Sequence, residues 1–177
     1  MPGATVTSRR TIGRQTTVSK AQFQIHAVRT AEDIAAGAAL FRAYAASLGV
    51  DLAYQDFEAE LAALTGKYAP PAGELLLARD AGALPLGCVA LRPIAPDSCC
   101  EMKRLYVAPA ARGMGLGRAL VQAIVEAAAG LGYRELRLDT LPDMIEAQAL
   151  YERMGFVRTA PYYDTPIAGT VFMSRDL

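Results

Sequence analysis

Leu105-Tyr106-Val107-Ala108-Pro109-Ala110-Ala111-Arg112-Gly113-Met114-Gly115-Leu116-Gly117-Arg118 is the stretch on which the reading of this chain turns. Upstream of it, Cys99 to Val107 follows the turn-prone Pro96-Asp97-Ser98 and reads as a strand. Downstream, Leu116, Leu120, Ala123, Ile124, Ala127 and Leu131 fall at helical spacing, and Val121 and Val125 widen the stripe as suits a helix packed on a sheet. The glycines therefore sit where a strand becomes a helix. The first turn of a helix has backbone N–H groups without intrachain acceptors, and its dipole adds positive character, so an anionic phosphate is the natural partner. Glycine at 113, 115 and 117 removes the Cβ atoms that would hold such a ligand away. A Walker loop would need Gly-Lys followed by Ser or Thr, and a dinucleotide fingerprint counted from Gly113 would need glycine where Arg118 stands. The plainer reading is a turn that only permits close packing; three glycines flanked by Arg112 and Arg118 weigh against it.

Before this stretch, Phe23 to Arg29 alternates as a first strand, and Thr30 with Asp33 begins a helix over about residues 31 to 48. Tyr54, Phe57, Leu61 and Leu64 mark a shorter helix that Gly66 stops. Glu74 to Arg79 and Leu86 to Leu91 form a hairpin around Asp80-Ala81-Gly82-Ala83. After the glycine turn and its helix come a strand over Arg134 to Leu141 and a helix through Met144, Ala147, Tyr151 and Met154, which Gly155 ends. Phe156 to Tyr163 and Thr170 to Ser174 complete the set as two more β segments.

With 177 residues, 53% hydrophobic and 20% charged, the chain has material for one buried core, and a single domain over residues 23 to 177 is expected. Eighteen basic and 18 acidic residues give no cationic excess, which argues against nucleic acid as a partner. No run approaches the ~20 apolar residues that span a bilayer, and no secretory signal follows the early basic residues, so a chain that stays off membranes is expected. Residues 1 to 22 carry Arg9, Arg10, Arg14 and Lys20, no acid and no apolar periodicity, and read as a disordered tail. Cys88, Cys99 and Cys100 are an odd set that does not make a disulfide framework, which points to a reducing, cytoplasmic setting. His26 is the only histidine, so the usual zinc spacings and histidine triads cannot be assembled, and no metal is expected.

Val107-x-Pro109-x-x-Arg112-x-x-Gly115-x-Gly117 resembles the acetyl-CoA signature of the GNAT superfamily of N-acetyltransferases. Downstream, Ala147-x-x-Leu150-Tyr151-Glu152-Arg153-Met154-Gly155-Phe156 is similar to that family's helix ending in a Tyr and a Gly-Phe pair. The resemblance covers about residues 23 to 177. It implies an α+β fold: a mostly antiparallel sheet of about seven strands, flanked by about four helices and splayed between the fourth and fifth strands. The pantetheine arm of acetyl-CoA would lie in the gap and satisfy the unpaired backbone groups. Leu105, Tyr106 and Val107 would then contact the arm, and Arg112, Gly113, Met114, Gly115, Leu116, Gly117 and Arg118 would cradle the pyrophosphate.

Acetyl transfer from a thioester to an amine needs a neutral amine, a polarised carbonyl and a proton for the departing thiolate. By resemblance Tyr151 supplies that proton, although a tyrosine on an apolar stripe is by itself more often core. The backbone N–H near Leu105 would stabilise the oxyanion. Glu101, six residues before Val107, shares its face in an ideal strand and is the candidate base; the alternative is an edge charge or a partner for Lys103. Asp139 is the reserve base, or a structural hydrogen-bonding group. A cysteine nucleophile is discounted because no histidine neighbours it.

The acceptor pocket is expected between Ser47–Tyr54 and Tyr162–Thr170, with Tyr44, Tyr54, Tyr162, Tyr163, Asp51 and Asp164 as candidates to hold an amine of a small molecule, amino acid or peptide. Similar proteins often carry an Asn that contacts CoA where this chain has Met144. The family admits homodimers. The competing function is a CoA-binding regulatory module without turnover, which would need neither Tyr151 nor Glu101.

Overall fold

The computed structural model describes residues 22–177, so the basic tail expected over residues 1 to 22 lies, but for its last residue, outside the described residues. Seven strands and four α-helices follow in the order β1 (Gln24–Ala27), α1 (Ala31–Ser47), α2 (Phe57–Ala62), β2 (Glu74–Arg79), β3 (Pro85–Ile94), β4 (Cys99–Val107), α3 (Leu116–Gly130), β5 (Glu135–Thr140), α4 (Ile145–Arg153), β6 (Val157–Arg158) and β7 (Val171–Asp176). The strands form one sheet in the order β1-β2-β3-β4-β5-β7-β6. Only β4 and β5 run parallel. The expected α+β architecture is the one observed.

Local signals account for the helix boundaries. The Thr30 hydroxyl accepts the Asp33 N–H at 3.1 Å and caps α1. At the end of α4 the Phe156 N–H reaches back to the Tyr151 carbonyl at 3.0 Å, a Schellman-type closure around Gly155. Helix α2 is shorter than its periodicity suggests, because single 3-10 turns at Ala53–Gln55 and Gly66–Tyr68 take up its flanks. The β segment expected over Phe156 to Tyr163 shrinks to Val157–Arg158. Pro161 brings no N–H to a ladder, and Tyr162 and Tyr163 instead turn their rings onto Phe172, with centroids 5.1 and 5.2 Å away.

The sheet is covered on both sides, which explains the near-continuous apolar run of β2. Leu76 and Ala78 join the α3 side with Leu120, Val121, Ile124, Leu136 and Leu138. Leu75 and Leu77 join the α1 side with Phe41, Phe57, Leu61 and Tyr68. Among the described residues no helix is long and apolar enough to cross a membrane.

Strand β4 carries the feature that places the site. Its register to β3 pairs Lys103 with Ala90 but Tyr106 with Cys88, so two residues, Arg104 and Leu105, oppose the single Val89. Arg104 takes a left-handed conformation at φ 59 to make this bulge. Such a backbone costs about 1–3 kcal/mol for a residue other than glycine and persists only where its surroundings hold it. Here the guanidinium bonds Glu60 of α2 at 2.8 and 3.2 Å and Gln55 at 2.9 Å, and lies 5.2 Å from the Phe57 ring. Lys67 adds a second cation on Glu60 at 2.6 Å.

Strands β4 and β5 pair only through Cys99–Glu101 opposite Glu135–Arg137. Beyond these residues they part, as the expected splay requires.

Burial alone would raise the Glu60 pKa, but Arg104 and Lys67 outweigh it and hold the carboxyl below its ordinary value. A depressed folded-state pKa gives stability that is fully present above the unfolded value near 4.3 and is lost as pH falls through the folded value. Glu60→Gln leaves Arg104 buried with its charge uncompensated, and is expected to cost about 3–5 kcal/mol at pH 7. Urea denaturation between pH 7 and pH 3 checks both points: the variant starts lower and loses less on acidification.

Candidate active site

A cleft of about 980 Å³ opens between the end of β4, the glycine turn, the start of α3 and the face of α4. Gly113 and Gly115 have φ of 80 and 77, and a Cβ on either would meet nothing within 4 Å. The turn thus needs glycine for its backbone, and the space in front of it is open. The first hydrogen bond of α3 runs from the Ala119 N–H to the Gly115 carbonyl at 3.1 Å, so the amides of Gly117 and Arg118 precede the intrahelical ladder. Leu105, Tyr106, Val107, Arg112, Gly113, Gly115, Leu116, Gly117 and Arg118 all line the cleft. The Met114 side chain does not: it packs against the core. Arg153 of α4 brings a further guanidinium to the wall, which the sequence reading overlooked. Open amides, a helix amino terminus and basic side chains together fit a diphosphate.

A smaller cavity of about 40 Å³ lies where β4 and β5 have parted. Tyr44, Leu48, Leu105, Leu141 and Met144 line both spaces, so the cavity adjoins the cleft on its inner side. Its other walls include Lys103, Arg104, Asp139, Thr140 and Tyr151.

Tyr151 reaches it from α4 and is 6% exposed, its ring edge-on to Phe156 at 5.9 Å. Burial pushes its phenol well above the ordinary range, and Tyr44 and Asp139 add to the effect. The hydroxyl therefore keeps its proton at neutral pH.

Glu101 is elsewhere. The Arg104 bulge breaks the alternation on which its shared face with Val107 was reckoned: Cys100 and Met102 before the bulge, and Leu105 and Val107 after it, all lie on the α3 side. Glu101 points to the other side and lines neither the cleft nor the inner cavity. It is fully buried, accepting from Arg92 at 2.6 Å and from the Tyr162 hydroxyl at 2.8 Å. Its place is that of an ion-pair partner within the sheet.

Asp139 does line the cavity. Burial would raise its pKa, but the Lys103 ammonium at 2.7 Å and the Tyr163 hydroxyl outweigh it and hold the carboxyl below its usual value. Asp139 is thus ionised at neutral pH.

Of the acceptor candidates, Tyr44 borders both spaces. Asp51 instead caps the Ala53 N–H at 2.8 Å. Tyr162 is committed to Glu101, and the Tyr163 ring faces the Lys103 ammonium at 5.9 Å. Asp164 is exposed, and the Tyr54 side chain lies outside the described part of the structure. Cys88, Cys99 and Cys100 are buried and line neither space. Burial raises all three thiols, Cys100 to about 12, which leaves no thiolate nucleophile. His26 pairs with Asp33 at 3.2 Å on β1 and takes no part. Among the described residues no group of His, Cys, Asp and Glu is placed to hold a metal ion.

The fold is similar to that of an acetyltransferase from Streptococcus agalactiae (TM-score 0.73, 21% identity, 88% of this chain and 99% of that one). A Klebsiella pneumoniae protein provisionally named an acyl-CoA N-acyltransferase is 29% identical, with a TM-score of 0.64 over 89% of this chain and 99% of that one. In sequence, an uncharacterised N-acetyltransferase of Schizosaccharomyces pombe is 42% identical over 153 residues, 86% of this chain and 94% of its relative. The model of the acetyltransferase (GNAT) family matches residues 37–156. The chain belongs to that family and is an N-acetyltransferase.

Two substitutions separate the cradle from the buried charge. Gly115→Glu sets a carboxylate in front of the amides on a left-handed backbone, and is expected to weaken CoA binding at least ~100-fold, a loss of about 2.7 kcal/mol. Calorimetric titration measures it; unchanged affinity would remove the cradle. Glu101→Gln strips Arg92 of its buried counterion and is expected to lower stability to urea by about 3 kcal/mol, while the pH profile of turnover in the folded fraction keeps its shape.

Proposed function

We propose that the chain transfers an acetyl group from acetyl-CoA to the primary amine of a small molecule, amino acid or peptide, by direct attack with both substrates bound. The observation that carries this reading is the adjacency of the two spaces. A cleft floored by open helix-terminal amides borders a cavity whose walls include a proton-holding phenol and an ionised carboxylate.

In the transfer an N–C bond forms, the C–S bond breaks, and the amine loses a proton while the sulfur gains one. Tyr151 lines the inner cavity and is protonated at neutral pH, and it is the group that would give its proton to the departing sulfur. Leu105 immediately follows the bulge and lines both spaces, which supports its backbone N–H as the donor to the carbonyl oxygen. Asp139 replaces Glu101 as the carboxylate of the reaction. Held ionised by the Lys103 ammonium 2.7 Å away, it is a weak base whose charge that cation offsets, and its carboxylate would accept a hydrogen bond from the attacking amine. The proton then leaves through water.

Tyr44, Leu48, Leu52 and Met144 give the cavity an apolar wall that would bear on the acceptor's carbon skeleton. The three unpaired, buried cysteines favour a reducing compartment and a cytoplasmic place of action.

Thiol release from acetyl-CoA over a panel of amines tests the reading. Acceleration by a primary amine is expected; CoA-dependent thermal stabilisation without turnover on any amine would leave a binding module. With an accepted amine, Tyr151→Phe is expected to lower kcat about 10- to 1000-fold with little change in the KM for acetyl-CoA. Equal kcat in both proteins, with chemistry limiting, would remove the acid role.

A further inference from the structure

Thr140 closes β5 at the point where that strand has left β4. Its backbone is in register with Val171 of β7, so the sheet accounts for the main chain on that side. Its side chain is another matter. Thr140 is 6% exposed, and among the described residues its buried Oγ1 has no protein hydrogen-bond partner. A hydroxyl in that position is costly to a folded chain, and valine would fill the same volume without the cost. By alternation Thr140 shares the α3 side with Leu136 and Leu138, while Asp139 faces the opposite way toward Lys103. Like Tyr151, it lines the inner cavity and not the outer cleft.

We propose that the Thr140 hydroxyl is reserved for the acyl donor: it hydrogen-bonds the polar terminus of the pantetheine arm, at the sulfur or the neighbouring amide carbonyl, when that terminus enters the inner cavity. The inference rests on acetyl-CoA being the donor. Two hydroxyls then serve one end of the ligand. Tyr151 gives up a proton, and Thr140 holds the arm in register as a binding and positioning group. The hydroxyl that finds no protein partner among the described residues gains one in the complex, so binding asks for a polar group where folding does not.

That opposition supplies the test, which needs no known acceptor. Thr140→Val and Thr140→Ser are compared with the unaltered protein by thermal melting without ligand and by calorimetric titration with CoA. The valine variant is expected to melt at the same temperature or higher, yet to bind CoA more weakly by roughly threefold to tenfold, the size of one neutral hydrogen bond. The serine variant recovers the affinity. Unchanged CoA affinity in Thr140→Val would overturn the proposal, as would a loss that serine does not recover, or a valine variant that melts lower without ligand. If the unaltered protein does not bind CoA at all, the donor reading itself fails and this inference goes with it; binding that survives Thr140→Val intact removes the threonine alone.

Discussion

The site depends on β4 turning aside from β5 after three paired residues, and on the bulge just beyond, which the buried contact between Arg104 and Glu60 holds. A left-handed arginine in the middle of a central strand is an unfavourable local state. It survives because its guanidinium has two carboxylate bonds, a carboxamide and an aromatic face to settle on, all from the segment around α2. The bulge lets Lys103 and Arg104 both face the α1 side, and it returns Leu105 and Val107 to the α3 side. The short helix that lies outside the GNAT motifs is thereby tied to the geometry of the reaction.

Covering the sheet on both faces forces every charge on β4 to find a partner, since neither side of the strand is wet. Glu101 takes Arg92 and the Tyr162 hydroxyl, Lys103 takes Asp139, and Arg104 takes Glu60. These pairs are arranged along the parting of the strands rather than scattered through the core. Each bridges two elements: β3 to β4, β4 to β5, and β4 to α2. Tyr162 and Tyr163 fasten the loop before β7 to two of the same carboxylates. The loop next to the cavity is thus anchored by polar bonds and by its ring packing on Phe172.

Much of this was legible in the residues. The order of elements, the glycine turn and the helix ending at Gly155 are written in local signals: periodicity, a capping threonine, glycine where the backbone needs it. Tyr151 could be placed on its helix because a motif fixes its distance from the helix end. Glu101 was misplaced because counting by twos assumes an unbroken strand, and nothing in Glu101-Met102-Lys103-Arg104-Leu105 announces an extra residue. A left-handed arginine has no sequence signature; its cause is Glu60, 44 residues earlier. Lys103 and Asp139, 36 residues apart, could be paired only once β4 and β5 were known to be neighbours. Thr140 read as ordinary strand, because an unmet hydroxyl is a property of its surroundings. Met114 looked like its neighbours in the motif, yet its side chain packs against the core.

Among the described residues the two outermost strands, β1 and β6, are only four and two residues long. The last carries Arg158, whose guanidinium bonds Gln148 of α4 and ties the rim back to the body of the molecule. A rim this brief, ending in a cation, offers almost no template on which a stray β segment from another molecule can dock. The hydrogen-bonding capacity that opens at the centre of the sheet is therefore directed inward, where a small molecule can reach it, and the periphery is left poorly suited to fibril growth.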